Sequence, residues 1–533
     1  MNIQYFQSAE ESFLGATKAQ SDAIWEHSHK MLEEWYSEYQ KLLEKPDIQV
    51  ELISRDEAEF SKGYYSNTQK REFKEIPEQY RKTRTTETLQ GWAESPYKDK
   101  HYELDSYGGL KNEDMRQDAT GYFYVKKLGG RWWYIDPEGY PCIIRSMTGP
   151  CISYNNNEQQ LNSALALYGT HENWANAAVR HLKDDLGFNA AGLWEPSASH
   201  ILAVEDGLVH QGSIDVITAY GREIGICKKM GSTLFDQRVS EQMKKPRPER
   251  VFDNVMPVFD PAFEEAADRY IAEAMEQYGD DPNIIGFTTD NEIPMNRDLL
   301  DRYLFRISPD IAVSRYSYSC AWTWFRFMTG KEQPTEEDIT DELRELFRGF
   351  VYYRYFSVVG PAARKHMRDY LYCGVRFLSG PSRTSVAEAE WVVRFAAQYC
   401  DVICINWYRM WTLLPETAAN LIKWSGDKPF SITEFSAKSD DGDIIFENRV
   451  GGWYLTTQQG RADFYENFIL SFLEWKNNIG WHWYRYNHAW RGDEPLSGGG
   501  IVDDNHVPYP ELEKAFDNIN NHVYGLIDYF DNR

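Results

Sequence analysis

The run IIGFTTDNE, Ile284 to Glu292, constrains this chain more than any other stretch, because it opens apolar and closes on Asp290, Asn291 and Glu292. That is how a strand buried on both faces of a parallel sheet looks where it opens into a site at its C-terminal end. The same residues also suit a helix start, since Asp and Asn favour N-caps and Pro294 follows. A second run tips the balance. In KPFSITEFS, Lys428 to Ser436, Ile432 precedes Thr433 and Glu434, about 140 residues further on. Two strand ends that each deliver a glutamate are what a (β/α)8 barrel needs to bring two carboxyls together across its mouth. Glu292 and Glu434 are therefore the candidate catalytic pair.

Around these runs, apolar segments alternate with helical stretches, the signature of a parallel sheet. The expected strands are Cys142 to Met147, Phe188 to Leu193, Asn254 to Val258, Ile284 to Thr288, Leu371 to Phe377, Val402 to Trp407, Phe430 to Thr433 and Gly480 to Tyr484. Eight suffice to close a barrel. A doubly wound open sheet is the alternative, but no glycine-rich phosphate loop of the required spacing follows an early strand. The fold class read from this is α/β, a (β/α)8 TIM barrel with an N-terminal helical and β accessory region. Residues 1–120 are expected to be accessory and 121–533 to be the catalytic barrel with a C-terminal helix. Residues from about Ser8 to Lys45 have apolar positions three and four apart, predicting one long or two short amphipathic helices. His27 and His29, two apart, point to different helix faces and read as a solvated face rather than a metal site. Residues 50–118 are polar and weakly periodic and read as loops or an arm. GYFYVKKLGGRWWYIDPEGYPCII then reads as successive strands joined by Gly129-Gly130 and by Asp136 to Gly139. The long intervals 200–250 and 293–370 predict extra helices or lids above the site.

A net charge of -25 excludes an electrostatic nucleic-acid binder, which needs basic stripes to displace counterions. It also makes a strongly anionic polymer a less natural ligand, although a local pocket can override net charge. Aromatic residues make up 15% of the chain, and their flat faces both pack in cores and stack on sugar rings. Seven scattered cysteines show no zinc or redox spacing and read as buried small hydrophobes in a reducing compartment. The N-terminal residues carry no secretory pattern and no stretch approaches ~20 apolar residues, so a cytoplasmic protein without a membrane partner is expected. No cofactor or metal is called for, and the oligomeric state stays open.

DPEGYP before the first strand, FDPAF, GFTTDNE, YLYCGVRF, CINWYR, ITEFS, GWHWYRY and GGGIVDDNHVPYPEL resemble, in this order, the glycoside hydrolases of clan A, most closely the family 50 β-agarases and their relatives. The resemblance runs over about residues 135–525. It implies a retaining β-glycosidase in which Glu292 is the acid/base, Glu434 the nucleophile, Asn291 a partner of the sugar 2-hydroxyl, and Tyr408 a group that orients the nucleophile. The N-terminal 120 or so residues do not match the accessory module of that family, a departure that bears on agarose as substrate.

The residues themselves agree with this chemistry. Retention needs two carboxyls ~5 Å apart, one protonated to donate to the leaving oxygen and one ionised to attack the anomeric carbon. Asp290 beside Glu292 would help keep it protonated, but suits a structural strand-end role better. Trp194 and Glu195 at the second strand, Arg376 on the fifth, Asn406 and Trp407 on the sixth, and His482, Trp483 and Tyr484 on the eighth are further candidates. Alternation admits only about half of them to the barrel interior. His482 reads first as a satisfied core histidine, Trp483 as a sugar-stacking platform, and Arg145 and Arg376 as buried partners of carboxylates. The function that follows is hydrolysis of β-linked oligosaccharides, agarase-like or β-galactosidase-like and exo-acting. A non-catalytic carbohydrate-binding barrel and a transglycosidase are the alternatives. A metal-dependent barrel hydrolase would want His-x-His on the first strand, where Cys142 to Met147 has no histidine.

Overall fold

The computed structural model describes residues 13–55, 57–58, 83–152, 158–192, 201, 203–205, 207–225, 255–379, 385–408, 410–439, 441, 453–491 and 494–533. Eight parallel strands close into a barrel: Ile144–Thr148, Ala190–Gly192, Val209–Ser213, Ile284–Asn291, Leu371–Ser379, Ile403–Trp407, Phe430–Phe435 and Asn478–Tyr484. Each pairs with the next and the eighth with the first. The register sets Asn291 opposite Arg376 and Glu434 opposite Asn406, so the fourth to seventh strands deliver their polar ends to one level of the barrel.

Seven of the eight expected strands stand, with ends moved by a few residues. The third does not. It is Val209–Ser213, VHQGS, and the expected run at Asn254 to Val258 is not a strand where it is described. The reason is chemical. VHQGS turns Gln211 toward the barrel interior and so lacks the apolar run by which a strand is recognised, whereas Val255 and Met256 belong to a buried loop. That loop's backbone is satisfied by side chains: Met256 N–H donates to the Tyr303 hydroxyl at 3.1 Å, and the Val258 carbonyl accepts from Arg354 Nε, also at 3.1 Å.

The barrel's N-terminal end is sealed by the expected hairpin. Strands Tyr124–Leu128 and Arg131–Ile135 meet at Gly129-Gly130, whose positive φ values of 59° and 86° suit the tight hairpin turn. Phe123 and Tyr134 lie under the barrel against Ile144, Ala190, Val209, Ile285, Leu371, Cys373, Cys404 and Ile479. Burying each large side chain there contributes ~1.5–3 kcal/mol. The floor is therefore apolar, and polar chemistry is confined to the other end.

A single helix, Lys18–Leu43, forms from the N-terminal periodic segment, started by a capping box between Thr17 and Gln20. Its Trp35 is fully buried, stacked 5.1 Å from Tyr39 and tilted against Trp324 at 5.9 Å. The long interval 293–370 thus goes largely into two outer helices, Arg315–Thr329 and Asp341–Met367, and the first of these docks the N-terminal helix. Of the extra helices or lids expected there, the described residues give helices. Of the interval 200–250, residues 200, 202, 206 and 226–250 lie outside the described ones, and the described part holds the third strand and the helix Val216–Glu223. His27 Nε2 donates to the Phe259 carbonyl at 2.8 Å, a packing contact. In the polar stretch 50–118, Thr83–Ala93 is helical where a loop was expected. No helix among the described residues is long and apolar enough to cross a membrane.

Candidate active site

Asn406, on the sixth strand and without solvent exposure, ties the site together. Its Nδ2 donates to Asn291 Oδ1 at 2.8 Å and to Glu292 Oε1 at 3.0 Å, and its Oδ1 accepts from the Thr433 hydroxyl at 2.8 Å. The Thr433 bond fixes which way the amide points. On the neighbouring strand Asn406 stands opposite Glu434, whose ionised form it favours. Asn406 is thus bonded to one carboxyl and stands opposite the other on the neighbouring strand. Glu292 sits just past the fourth strand with φ at 45°, a left-handed value that costs a non-glycine residue ~1–3 kcal/mol. Its N–H donates to the Arg376 carbonyl at 2.9 Å, so the turn is clamped to the fifth strand.

Glu434 is 4% exposed. Tyr408 donates its hydroxyl to Oε2 at 2.5 Å and Arg376 Nη1 reaches Oε1 at 3.4 Å. Burial pushes the Glu434 pKa up to about 8. The Arg376 charge and the bonds from Tyr408 and Asn406 act in the opposite sense, while the negative charge of Glu292 adds to the rise. The pair is thus built so that a proton is held easily, and so that one carboxyl has a cation and a phenol ready to stabilise its ionised form.

The other expected residues separate by strand alternation. His482 points inward against Gly192, where a Cβ would stand 2.7 Å from Nδ1, and burial lowers its pKa to about 3, leaving it neutral. Trp483 points outward and is fully buried, 5.3 Å from Phe435, 5.6 Å from Tyr465 and 5.6 Å from Phe516. The expected sugar platform is therefore a barrel-to-helix packing residue. Trp407 also faces outward, its indole N–H on Met410 Sδ at 3.1 Å. Asp290 accepts from the backbone N–H of Ile217 and, at 2.7 Å, from Tyr355, holding the helix Val216–Glu223 and an outer helix, as the structural reading expects. Arg145 donates to the Gly187 and Ile143 carbonyls and is no carboxylate partner in these contacts, whereas Arg376 is one. Trp194 and Glu195 lie outside the described residues.

Two site residues carried less weight in the sequence than they have in space. Tyr484 ends the eighth strand, and its pKa is raised by burial, with the charges of Glu434 and Glu292 adding to the rise. The pattern Trp481, Trp483 on one face already implied His482 and Tyr484 on the other. Asp215 follows the third strand; burial raises its pKa and the Arg376 charge opposes this. It was hidden because the third strand was sought elsewhere. Among the described residues no group of three or more His, Cys, Asp or Glu could hold a metal ion.

No family model matches the chain. β-Agarases A and B of Vibrio sp. (strain JT0107) are 29% and 28% identical to it over 186 residues, 32% of this chain. That alignment takes in only 17% of the length of these curated relatives. The solved structure of BpGH50 superposes with a TM-score of 0.65 at 26% identity, over 84% of this chain and 89% of that one. The agarase AgWH50C shares the fold at a TM-score of 0.60 and 21% identity, over 86% and 72%. The chain is thus similar to family 50 β-agarases in sequence and in barrel architecture.

Proposed function

We propose, from this likeness and from the paired carboxyls, that the protein is a β-glycosidase that hydrolyses β-linked oligosaccharides with retention. The observation that carries the reading is that Asn406, bonded to Glu292, stands opposite Glu434, and that Glu434 feels the charge of Glu292. In this mechanism Glu434, its ionised form stabilised by Tyr408 and Arg376, attacks the anomeric carbon while Glu292 protonates the leaving oxygen. Glu292 then takes a proton from water, which displaces Glu434 from the sugar. Asn291 meets the 2-hydroxyl of the sugar. Agarose-type or other β-galactoside oligomers are the proposed substrates. The burial of Glu434 favours a pocket that accepts a chain end, hence exo action. Transfer to a sugar acceptor shares the covalent intermediate and differs only in which acceptor is held.

Azide rescue tests the roles separately. With Glu434→Ala, azide attacks the anomeric carbon once and gives a glycosyl azide of inverted configuration. With Glu292→Ala, azide attacks the glycosyl enzyme and gives retained configuration. Near-normal turnover by both variants would end this reading.

A further inference from the structure

The sealed end of the barrel holds a second pair of carboxyls, remote from the paired glutamates. Asp136 follows the hairpin strand Arg131–Ile135 and is without solvent exposure, and Asp105 lies on the arm 101–118. That arm is laid against the hairpin: Leu110 N–H donates to the Pro141 carbonyl and Gln117 N–H to the Gly139 carbonyl, both at 2.8 Å. It also reaches the barrel and its last helix, since the Tyr107 carbonyl accepts from Asn189 Nδ2 at 3.0 Å and the Gly108 carbonyl from the Tyr524 hydroxyl at 2.6 Å. Each carboxyl uses one oxygen in its own turn. Asp105 Oδ1 accepts from the N–H groups of Tyr107 and Gly109, at 2.9 and 2.7 Å, and Asp136 Oδ1 from those of Glu138 and Tyr140, at 2.9 and 3.0 Å. The two Oδ2 atoms are left over, both buried and neither with a donor. They meet at Gly109, where an added Cβ would strike Asp136 Oδ2 and stand 3.2 and 3.3 Å from the two oxygens of Asp105. The cations nearby do not supply the missing donor. Lys111 on the arm is bound to Glu103 at 2.5 Å, and Arg145 on the first barrel strand to the Gly187 and Ile143 carbonyls. Tyr107 on the arm, Glu138 in the turn, Tyr124 on the hairpin and Cys142 before the first barrel strand also face the pair, and none is a cation. Two buried carboxylates turned toward each other repel unless a proton or a cation lies between them.

We propose that Asp105 and Asp136 share one proton, and that this proton latches the arm 101–118 to the hairpin that closes the barrel floor. One carboxyl then donates from its Oδ2 to the Oδ2 of the other, so that all four oxygens are engaged. Burial, and next the neighbouring Asp105, raise the Asp136 carboxyl from 3.8 to about 8. The closed arm therefore binds this proton more tightly than an opened arm, in which the carboxyls are apart and in water. The latch is at full strength below pH 3.8 and is lost as pH rises through about 8, when the proton leaves for solvent and two carboxylates face each other. Each pH unit between these values weakens it tenfold, so from about pH 5.5 to about 7.5 the opening equilibrium of the arm rises roughly 100-fold. The glycosidase reading plays no part in this.

Hydrogen exchange of the full chain tests this, read by mass spectrometry on peptides covering 103–111 and 136–140 and corrected for base catalysis. In the wild type, protection of these peptides is expected to fall roughly 10–100-fold between about pH 5.5 and about 7.5, beyond any change in the barrel strand Leu371–Ser379. In Asp136→Asn or Asp105→Asn an amide N–H takes the place of the proton, so protection should be the same at both pH values; either variant serves if the other does not fold. The fall should persist in the Glu434→Gln protein, which separates it from titration of the catalytic pair. Wild-type protection that does not change over this range, a fall that survives in a folded asparagine variant, or a fall abolished by Glu434→Gln overturns the proposal. Protection restored at about pH 7.5 by calcium chloride in the wild type alone would put a cation between the carboxyls and overturn the shared proton as well.

Discussion

Replacing Glu434 with glutamine should make the protein inactive and, at alkaline pH, more stable. The carboxyl has an ordinary value of 4.5 and is raised to about 8 in the folded chain, chiefly by burial. The native state therefore binds this proton more tightly than the unfolded state. Stability is fully present below pH 4.5 and is lost progressively as pH rises through about 8. At ~1.36 kcal/mol per pKa unit, the wild type loses up to ~4 kcal/mol between pH 5 and 8.5 through this one group. Glutamine does not titrate and so loses none of it. Oε1 of the new amide can keep the Arg376 contact, and the Tyr408 hydroxyl can turn to accept from its nitrogen; imperfect geometry reduces the gain to ~2–4 kcal/mol. A chain of 533 residues has an unfolding entropy of ~1.1 kcal/mol/K, so the variant should melt ~2–4 °C above wild type at pH 8.5. At pH 5 the two should nearly coincide. Scanning calorimetry at the two pH values reads this directly, beside a hydrolysis assay. A gap of the same size at both pH values, or a wild type more stable at pH 8.5, would refute the view that Glu434 is held at the expense of stability.

The acid limb of kcat/KM should lie well above the usual carboxylate range, toward pH 8, and Tyr408→Phe or Arg376→Gln should move it further up, since each removes a group that favours the ionised form; a limb near pH 4.5 unmoved by either change would contradict this. Asn406→Ala removes the donor that holds Asn291 and Glu292 and should cost ~10²–10³-fold in kcat with little change in melting temperature, measured by steady-state kinetics. Trp483→Ala should behave oppositely, with ~3–5 kcal/mol of stability lost to a cavity between barrel and helices and KM unaltered in the fraction still folded; a raised KM would return it to the sugar site.

Much of this architecture was legible in the chain. Barrel strands with an apolar run, such as Ile284–Asn291 and Ile403–Trp407, announce themselves because burial on both faces demands apolar residues. The glutamates stood out because a charged residue at the end of such a run has to be accounted for. Tyr408 was named only through the family resemblance, and Arg376 as a charged residue within the apolar fifth strand. The third strand was illegible, because Val209–Ser213 is five residues long and points Gln211 into the barrel, while the apolar stretch that imitates it is a loop. Which face each residue shows was decided by tertiary structure. A bulge between Ile432 and Glu434 shifts the register against the sixth strand, and the left-handed φ of Glu292 turns the chain just past the fourth, so strict alternation fails at the very residues that matter. Trp483 and His482 are neighbours in the chain with opposite fates, one packed under a helix and one enclosed in the barrel, because strand period alone cannot say which face closes inward until all eight strands have paired.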